Sequence, residues 1–298
     1  ERWEQVEQEF FDNMAWQGIQ YDFDKEEWDM PSKTVTPWPE ERRALPDTAK
    51  DIDIVDSRMG HLNNLDDNRF GPTSVTYRDY AETLAETDTY RDVLEGETFE
   101  MHIDAKDLRE VLMDGEFFPV GHPDIESSTN ANTSHRIEIE EKMGLNSEEE
   151  WSNRPVYGSI TSKDSGDEHG MAGSFGNVQV IFKPEVLDRS TITFGDSGER
   201  HGASERSPSY PAPVRYNDIM DGSATSDQLA GSTSKGWMDS RDQHEGGAWR
   251  DSWTEAQVWG GLSLKDVEKV VFSQTAMQRD INNNWGFPKK LIDLGIEV

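Results

Sequence analysis

The sequence predicts an α+β domain in which helices come first and an antiparallel sheet follows. Three observations carry that reading. Helical spacing recurs through the first half of the chain. From Trp151 onward, successive segments are rich in β-branched and aromatic residues and are bounded by Gly, Pro or Asp. Ten Trp, twelve Phe and seven Tyr offset a hydrophobic fraction of only 33%, because each buried ring removes about 150–250 Å² from water.

Residues 1–30 read as an amphipathic helical segment. In ERWEQVEQEFFDNMAW the apolar residues Trp3, Val6, Phe10, Phe11 and Met14 fall at three- and four-residue steps. Residues 31–97 read as a connector followed by a helix. DMPSKTVTPWPEERRALPDTAKD carries four prolines and reads as extended, and the helix spans Tyr77 to Leu94. A short strand, Thr98–Asp104, precedes DAKDLREVLMDG, a small helix with an Asp cap, a Leu108/Val111/Leu112 stripe and Gly115 as its stop. HPDIESSTNANTS is a polar loop, and RIEIEEKMGL is a second short helix closing near Gly144. RPVYGSI, NVQVIFKPEV, STITFGDS, AQVWGGLSL and KVVFS then read as strands. Ser197 to Arg250 is polar, Gly/Ser-rich and aperiodic, with room for one helical turn in SDQLAGSTSKGWM. A loop of that length is functional or mobile. Residues 276–298 form a tail, and FPKKLIDLGIEV within it is apolar enough to dock on the domain.

Charge narrows the partners. The chain has 60 Asp+Glu against 29 Lys+Arg, a formal net charge of −31 and a pI near 4.4. Only 12 residues are Lys, and the acids are dispersed along the whole length. One reading is a surface that repels or mimics nucleic acid. The other, which even dispersal and scarce lysine favour, is adaptation to very high salt. At 1 M salt the Debye length is about 3 Å, so dispersed like charges scarcely interact. Direct binding to DNA or to an anionic membrane is not expected, since no basic face exists to release counterions. No segment approaches the roughly 18 consecutive apolar residues of a membrane span.

Several chemistries lack their residues. Cysteine is absent, which excludes disulfides, thiolate metal sites and a Cys nucleophile. The seven histidines, at 61, 102, 122, 135, 169, 201 and 244, show no paired helical spacing, so no metal site is expected. HGMAGSFG has glycines at 170, 173 and 176 but no following Lys-Ser/Thr, so it reads as a connector rather than a phosphate loop. No G-x-S-x-G occurs. WTEAQVWGG (Trp253–Gly261) is different. Strand alternation places Trp253, Glu255, Gln257 and Trp259 on one face, so a carboxylate and an amide stand together in an otherwise apolar strand.

The ordered set DLREVLMDGEF, HRIEIEEKMGL, RPVYGS, STITFGDS and WTEAQVWGG, over roughly residues 98 to 275, resembles the ADP-ribosyltransferase-like domain of tailed-virus minor head proteins. These proteins are associated with head-morphogenesis proteins of the phage Mu protein F type. The resemblance implies split antiparallel β-sheets with a cleft for NAD between them, preceded by an N-terminal helical region. It implies Arg154 as the residue that forks the NAD phosphates, a role that suits a guanidinium. It implies Ser190, Thr191 and Thr193 as the strand that supports the nicotinamide ribose. It implies Glu255 and Gln257 as the catalytic pair. Here the sequence departs from the family: the second position, normally a Glu, is Gln257. A neutral amide hydrogen-bonds a ribose hydroxyl but does not stabilise an oxocarbenium-like cation as a carboxylate does. Glu255 as the acid in a shifted register, or an acid from the long loop, would restore the chemistry.

Other readings stand beside these. Arg154 pairs with a neighbouring acid, Ser190 and Thr191 are strand-edge residues, or Glu255 and Gln257 tie down the long loop. The expectation is a head or capsid structural protein of a virus of a salt-loving archaeon, located in the virion and, during assembly, in the host cytoplasm. Its partners would be portal or major capsid protein, and NAD its one possible cofactor. The alternative is an active NAD-dependent protein ADP-ribosyltransferase.

Overall fold

A computed structural model describes residues 20–22, 27–29, 44–71, 74–119, 122, 133–145, 151–161, 176–198, 209–242, 254–283 and 286–298. The helix expected over residues 1–30 is corrected at its C-terminal end. There β1 (Gln20–Asp22) pairs antiparallel with β2 (Glu27–Asp29), Tyr21 opposite Trp28. The helical stripe ends at Met14, and the segment beyond it alternates polar and aromatic residues, which suits a hairpin. Residues 1–19 and most of the proline connector lie outside the described residues.

α1 (Ile52–Asp67) is a helix that no apolar stripe announces. Its buried positions are Ile54, Arg58, His61, Leu62 and Leu65, so a cation and an imidazole break the pattern that periodicity detects. Asp51 caps it, its carboxylate accepting from the backbone N–H of Asp53 at 3.1 Å. The expected helix from Tyr77 to Leu94 is two helices, α2 (Tyr77–Ala85) and α3 (Thr89–Asp92). The break falls at Thr87, whose hydroxyl donates to the Leu84 carbonyl at 2.7 Å and accepts from the Thr89 N–H at 3.3 Å. Such local bonds compete with helix continuation.

β3 (Thr98–Ile103) leads into α4 (Ala105–Asp114), which stops at Gly115 with φ of 79°. That left-handed turn is one glycine adopts without strain. β4 (Glu116–Phe117) and α5 (Thr133–Lys142) follow, then β5 (Val156–Thr161), β6 (Val178–Phe182) and β7 (Ser190–Phe194). The region read as a long loop is largely ordered: β8 (Val214–Arg215), α6 (Tyr216–Met220), α7 (Ser226–Gly231) and α8 (Lys235–Asp242) occupy it. These helices are too short to show periodicity. A Thr225/Gln228 capping box starts α7, and buried Leu229, Trp237 and Met238 hold the group in place. Residues 199–208 and 243–253 lie outside the described residues. β9 (Thr254–Val258), β10 (Leu262–Ser263), β11 (Val267–Phe272), α9 (Gln274–Asn283) and α10 (Phe287–Asp293) complete the chain.

The fold is α+β. Seven strands form one antiparallel sheet in the order β11-β6-β3-β5-β9-β7-β8, and β10 pairs separately with β4. The ladder is continuous, where two split sheets were expected. Its narrowest interior join is β3 with β5, three register pairs from Thr98↔Thr161 to Glu100↔Ser159. Beyond Glu100, β3 pairs only with β6, while β5 pairs with β9 along Val156–Ser159.

Register gives the sheet two unlike faces. Phe99, Ile103, Val156, Ile160, Val180, Phe182, Ile192, Phe194, Ala256 and Val258 share the apolar face and belong to the main core. That core also takes in Leu62, Leu65, Ala81, Tyr90, Leu229 and Trp237, so the helices from both halves of the chain pack into it. The tail docks as expected. Phe287, Leu291 and Ile296 join the core, and the Val270 N–H donates to the Glu297 carbonyl at 2.8 Å, which covers the outer edge of β11.

Gly158 lies at the narrow join. A Cβ there would sit 2.4 Å from the Glu100 carbonyl oxygen and 2.6 Å from the Phe99 ring. Gly158→Ala must push β3 and β5 apart, and the expected loss is about 2 kcal/mol or more. Denaturant unfolding at molar KCl measures it; a loss under about 0.5 kcal/mol would mean that the join yields freely.

Candidate functional site

The other face of the sheet is polar, because alternation turns one residue in two away from the core. Register aligns Glu100, Ser159, Glu255 and Thr193 across four strands. A second row aligns Tyr157, Gln257 and Thr191. α5 packs over part of this face. Ile139 and Met143 join Ile54, Leu145, Tyr210, Ala212 and Trp259 in a small second core.

Gln257 is held from three sides. Its Oε1 accepts from the Thr191 hydroxyl at 3.0 Å. Its Nε2 donates to Thr193 Oγ1 at 3.1 Å and to Glu255 Oε1 at 3.2 Å. Trp259 Nε1 in turn donates to Thr191 Oγ1 at 3.2 Å. Both amide hydrogens are therefore used within the sheet, and the whole group is buried.

Glu255 also accepts from the Ser197 hydroxyl. Arg136 of α5 donates to that same Ser197 oxygen at 3.3 Å, and its guanidinium lies 4.3 Å from the centre of the Tyr157 ring. Burial lifts the Glu255 carboxyl from 4.5 to about 7; Arg136 and the bonds from Ser197 and Gln257 oppose this, while Asp196 adds to it. At neutral pH the site therefore carries less negative charge than a buried glutamate suggests. The Tyr157 ring is half-buried and its hydroxyl fully so, with no hydrogen-bond partner among the described residues. Burial, with Glu140 and Glu255 adding to it, raises that hydroxyl's pKa well above the usual phenol range.

The structure sorts the sequence candidates. Thr191, Thr193, Glu255 and Gln257 come together on the polar face. Ser190 does not join them. Its hydroxyl donates to the Val186 carbonyl at 2.9 Å, closing the Pro184–Arg189 turn, and it registers with Val258 on the apolar face. Adjacent residues of one strand cannot share a face, so Ser190 and Thr191 could never both line the site. Arg154 lies just before β5 and is only 2% exposed. Its Nε and Nη2 fork Glu140 of α5 at 2.9 and 3.0 Å. This is the acid-pairing reading of Arg154, and a phosphate would have to displace a buried carboxylate. Trp253 lies outside the described residues.

Sequence reasoning missed Arg136, Tyr157, Ser197 and Glu100. Tyr157 and Ser197 sit inside segments it singled out, but only the strand register of Tyr157 and the hydrogen bond from Ser197 bring them to the Glu255–Gln257 pair. Glu100 is buried one strand beyond Ser159, where His102, Ser159 and Gln179 all contact its carboxylate. Among the described residues no group of three His, Asp or Glu side chains could hold a metal ion. The arrangement can exchange a proton at Glu255 near neutral pH, while the hydroxyls and the amide around it are buried. Its strongest acceptor and its amide are satisfied internally. No known protein-family model matches the chain, and no curated protein matches it.

Proposed function

We propose that the chain is a structural or assembly component of a tailed-virus head. In this reading it is built on an ADP-ribosyltransferase-like module whose cleft residues are used to hold the module together. The closed network around Gln257 carries this reading, because the residue at the catalytic acid's position is a neutral amide with both hydrogens bonded within the sheet. The sequestered Arg154 supports it too, since the guanidinium assigned to the NAD phosphates is occupied by Glu140. The three-pair join between β3 and β5 supports the likeness to a split sheet. The viral setting comes from the sequence resemblance, and the saline host cytoplasm from the net charge of −31. Portal and major capsid proteins are the proposed partners. They would be met through apolar patches, since molar salt removes long-range repulsion. No helix among the described residues is long and apolar enough to cross a membrane.

A second reading has its own observation. Glu255 is buried on the polar face beside Arg136 and titrates near neutral pH, so it is the acid available if ADP-ribosyl transfer occurs. One experiment separates the two readings. The purified chain is mixed with portal and capsid proteins at molar KCl and, in parallel, with labelled NAD and host lysate. The structural reading expects a defined complex on gel filtration and no protein labelling beyond that of Glu255→Ala. A lone monomer beside both partners overturns it. Labelling that vanishes in Glu255→Ala establishes the transferase.

A further inference from the structure

Arg58 is a cation on the wrong side of its helix. α1 turns it inward with Ile54, Leu62 and Leu65, and only 7% of it remains exposed. One guanidinium nitrogen, Nη2, donates to the Thr48 carbonyl at 2.7 Å. Nε has no hydrogen-bond partner among the described residues, and neither has the hydroxyl of Thr48 on the same neighbour, which is fully buried. Two orphan polar atoms thus lie on two residues already joined. Buried polar groups in folded proteins are nearly always satisfied, and two orphans on residues already joined call for a bound water or ion.

Charge decides what kind of ligand. A buried guanidinium is costly unless a negative charge accompanies it. Among the described residues the acid whose field reaches Arg58 is Asp227, and it is exposed and already paired with Arg78 at 3.1 Å. His61, one turn along α1, faces the Thr233 carbonyl at 2.9 Å. Lys235 donates to Asn64 at 3.0 Å, also on α1, so neither of these neighbours brings a negative charge to the guanidinium. A water would satisfy both orphan atoms but would leave the guanidinium uncompensated. Gly231 of α7 packs on the Arg58 stem: a Cβ there would sit 2.4 Å from Arg58 Cγ. With Arg58 7% exposed and Thr48 fully buried, only a small ligand fits beside them.

We propose that Arg58 and Thr48 hold a small monovalent anion of the halide class, chloride in a saline setting, bound between Arg58 Nε and Thr48 Oγ1. The anion completes the hydrogen bonding of both residues and neutralises the one buried arginine of α1. It thereby fastens the turn before α1 to the helix.

The test uses the intact chain at constant molar potassium and constant ionic strength, exchanging chloride for gluconate, an anion too large to enter. Thermal midpoints and 35Cl line widths are recorded for wild type and for Thr48→Val, which deletes the hydroxyl with little change of volume. Wild type is expected to lose several degrees of midpoint in gluconate and to broaden the chloride resonance. Thr48→Val is expected to lose at least nine-tenths of both effects. Arg58→Met should abolish the broadening; if that variant does not fold, Thr48→Val alone decides. Equal midpoints in the two salts, or broadening that persists unchanged in Thr48→Val, overturns the proposal. Bromide replacing chloride should give the same midpoint within a degree; a large loss would also overturn it.

Discussion

Replacing Arg154 by Met is expected to cost about 3–5 kcal/mol, because it leaves the Glu140 charge buried without its guanidinium. Both side chains are about 1% exposed and are joined by two bonds near 3 Å. The double variant Glu140→Leu/Arg154→Met should recover most of the loss, since removing both charges also removes the need to desolvate either. Urea unfolding at molar KCl measures both. The result also bears on function. A single-variant loss under about 1 kcal/mol would mean that the guanidinium is loosely held, and that Arg154 can be presented to a phosphate after all.

Glu255→Gln should make the protein more stable at and above neutral pH, by about 3 kcal/mol at the rate of about 1.4 kcal/mol per pH unit. The folded chain holds this carboxyl at about 7 against an ordinary 4.5. Between those values the folded state binds the extra proton, so the contribution is complete below pH 4.5 and is lost as pH rises through 7. The amide is uncharged throughout and can still accept from Ser197 and Gln257. His61 works in the opposite sense. Burial pulls it from 6.5 down to about 4, so its contribution is complete above pH 6.5 and is lost as pH falls through 4. The two slopes oppose each other across roughly pH 4.5 to 6.5. In wild type they largely cancel, whereas in Glu255→Gln the His61 slope stands alone and stability climbs with pH. Unfolding free energies of both proteins from pH 4 to 9 at fixed KCl decide this. A variant that is less stable than wild type at pH 8 would show that Glu255 is stabilised there as the anion.

The legible parts of the fold were those with a local signature. α4 has its Leu108/Leu112 stripe and a glycine that stops it at 115, and β5, β6, β7, β9 and β11 stand out by composition. The illegible parts had none. α1 buries Arg58 and His61 where periodicity looks for apolar residues. α6 to α8 are five to eight residues long, too short for a repeat to show. Within the site, alternation alone was enough to place Glu255 beside Gln257. It also ruled against Ser190 as a partner of Thr191, a consequence of the pleat that the family likeness obscured.

The sequence by itself determined the class of fold, the acidity of the chain and the pairing of a carboxylate with an amide on one strand face at 255 and 257. All three depend only on which residues occur and at what spacing. Tertiary structure decided the rest. Arg154 faces Glu140 because α5 is laid against the sheet, and Glu255 holds its proton to about pH 7 because that packing removes its water. The partners of a charge and its desolvation are long-range facts, set by elements distant in the chain that meet only when the core forms.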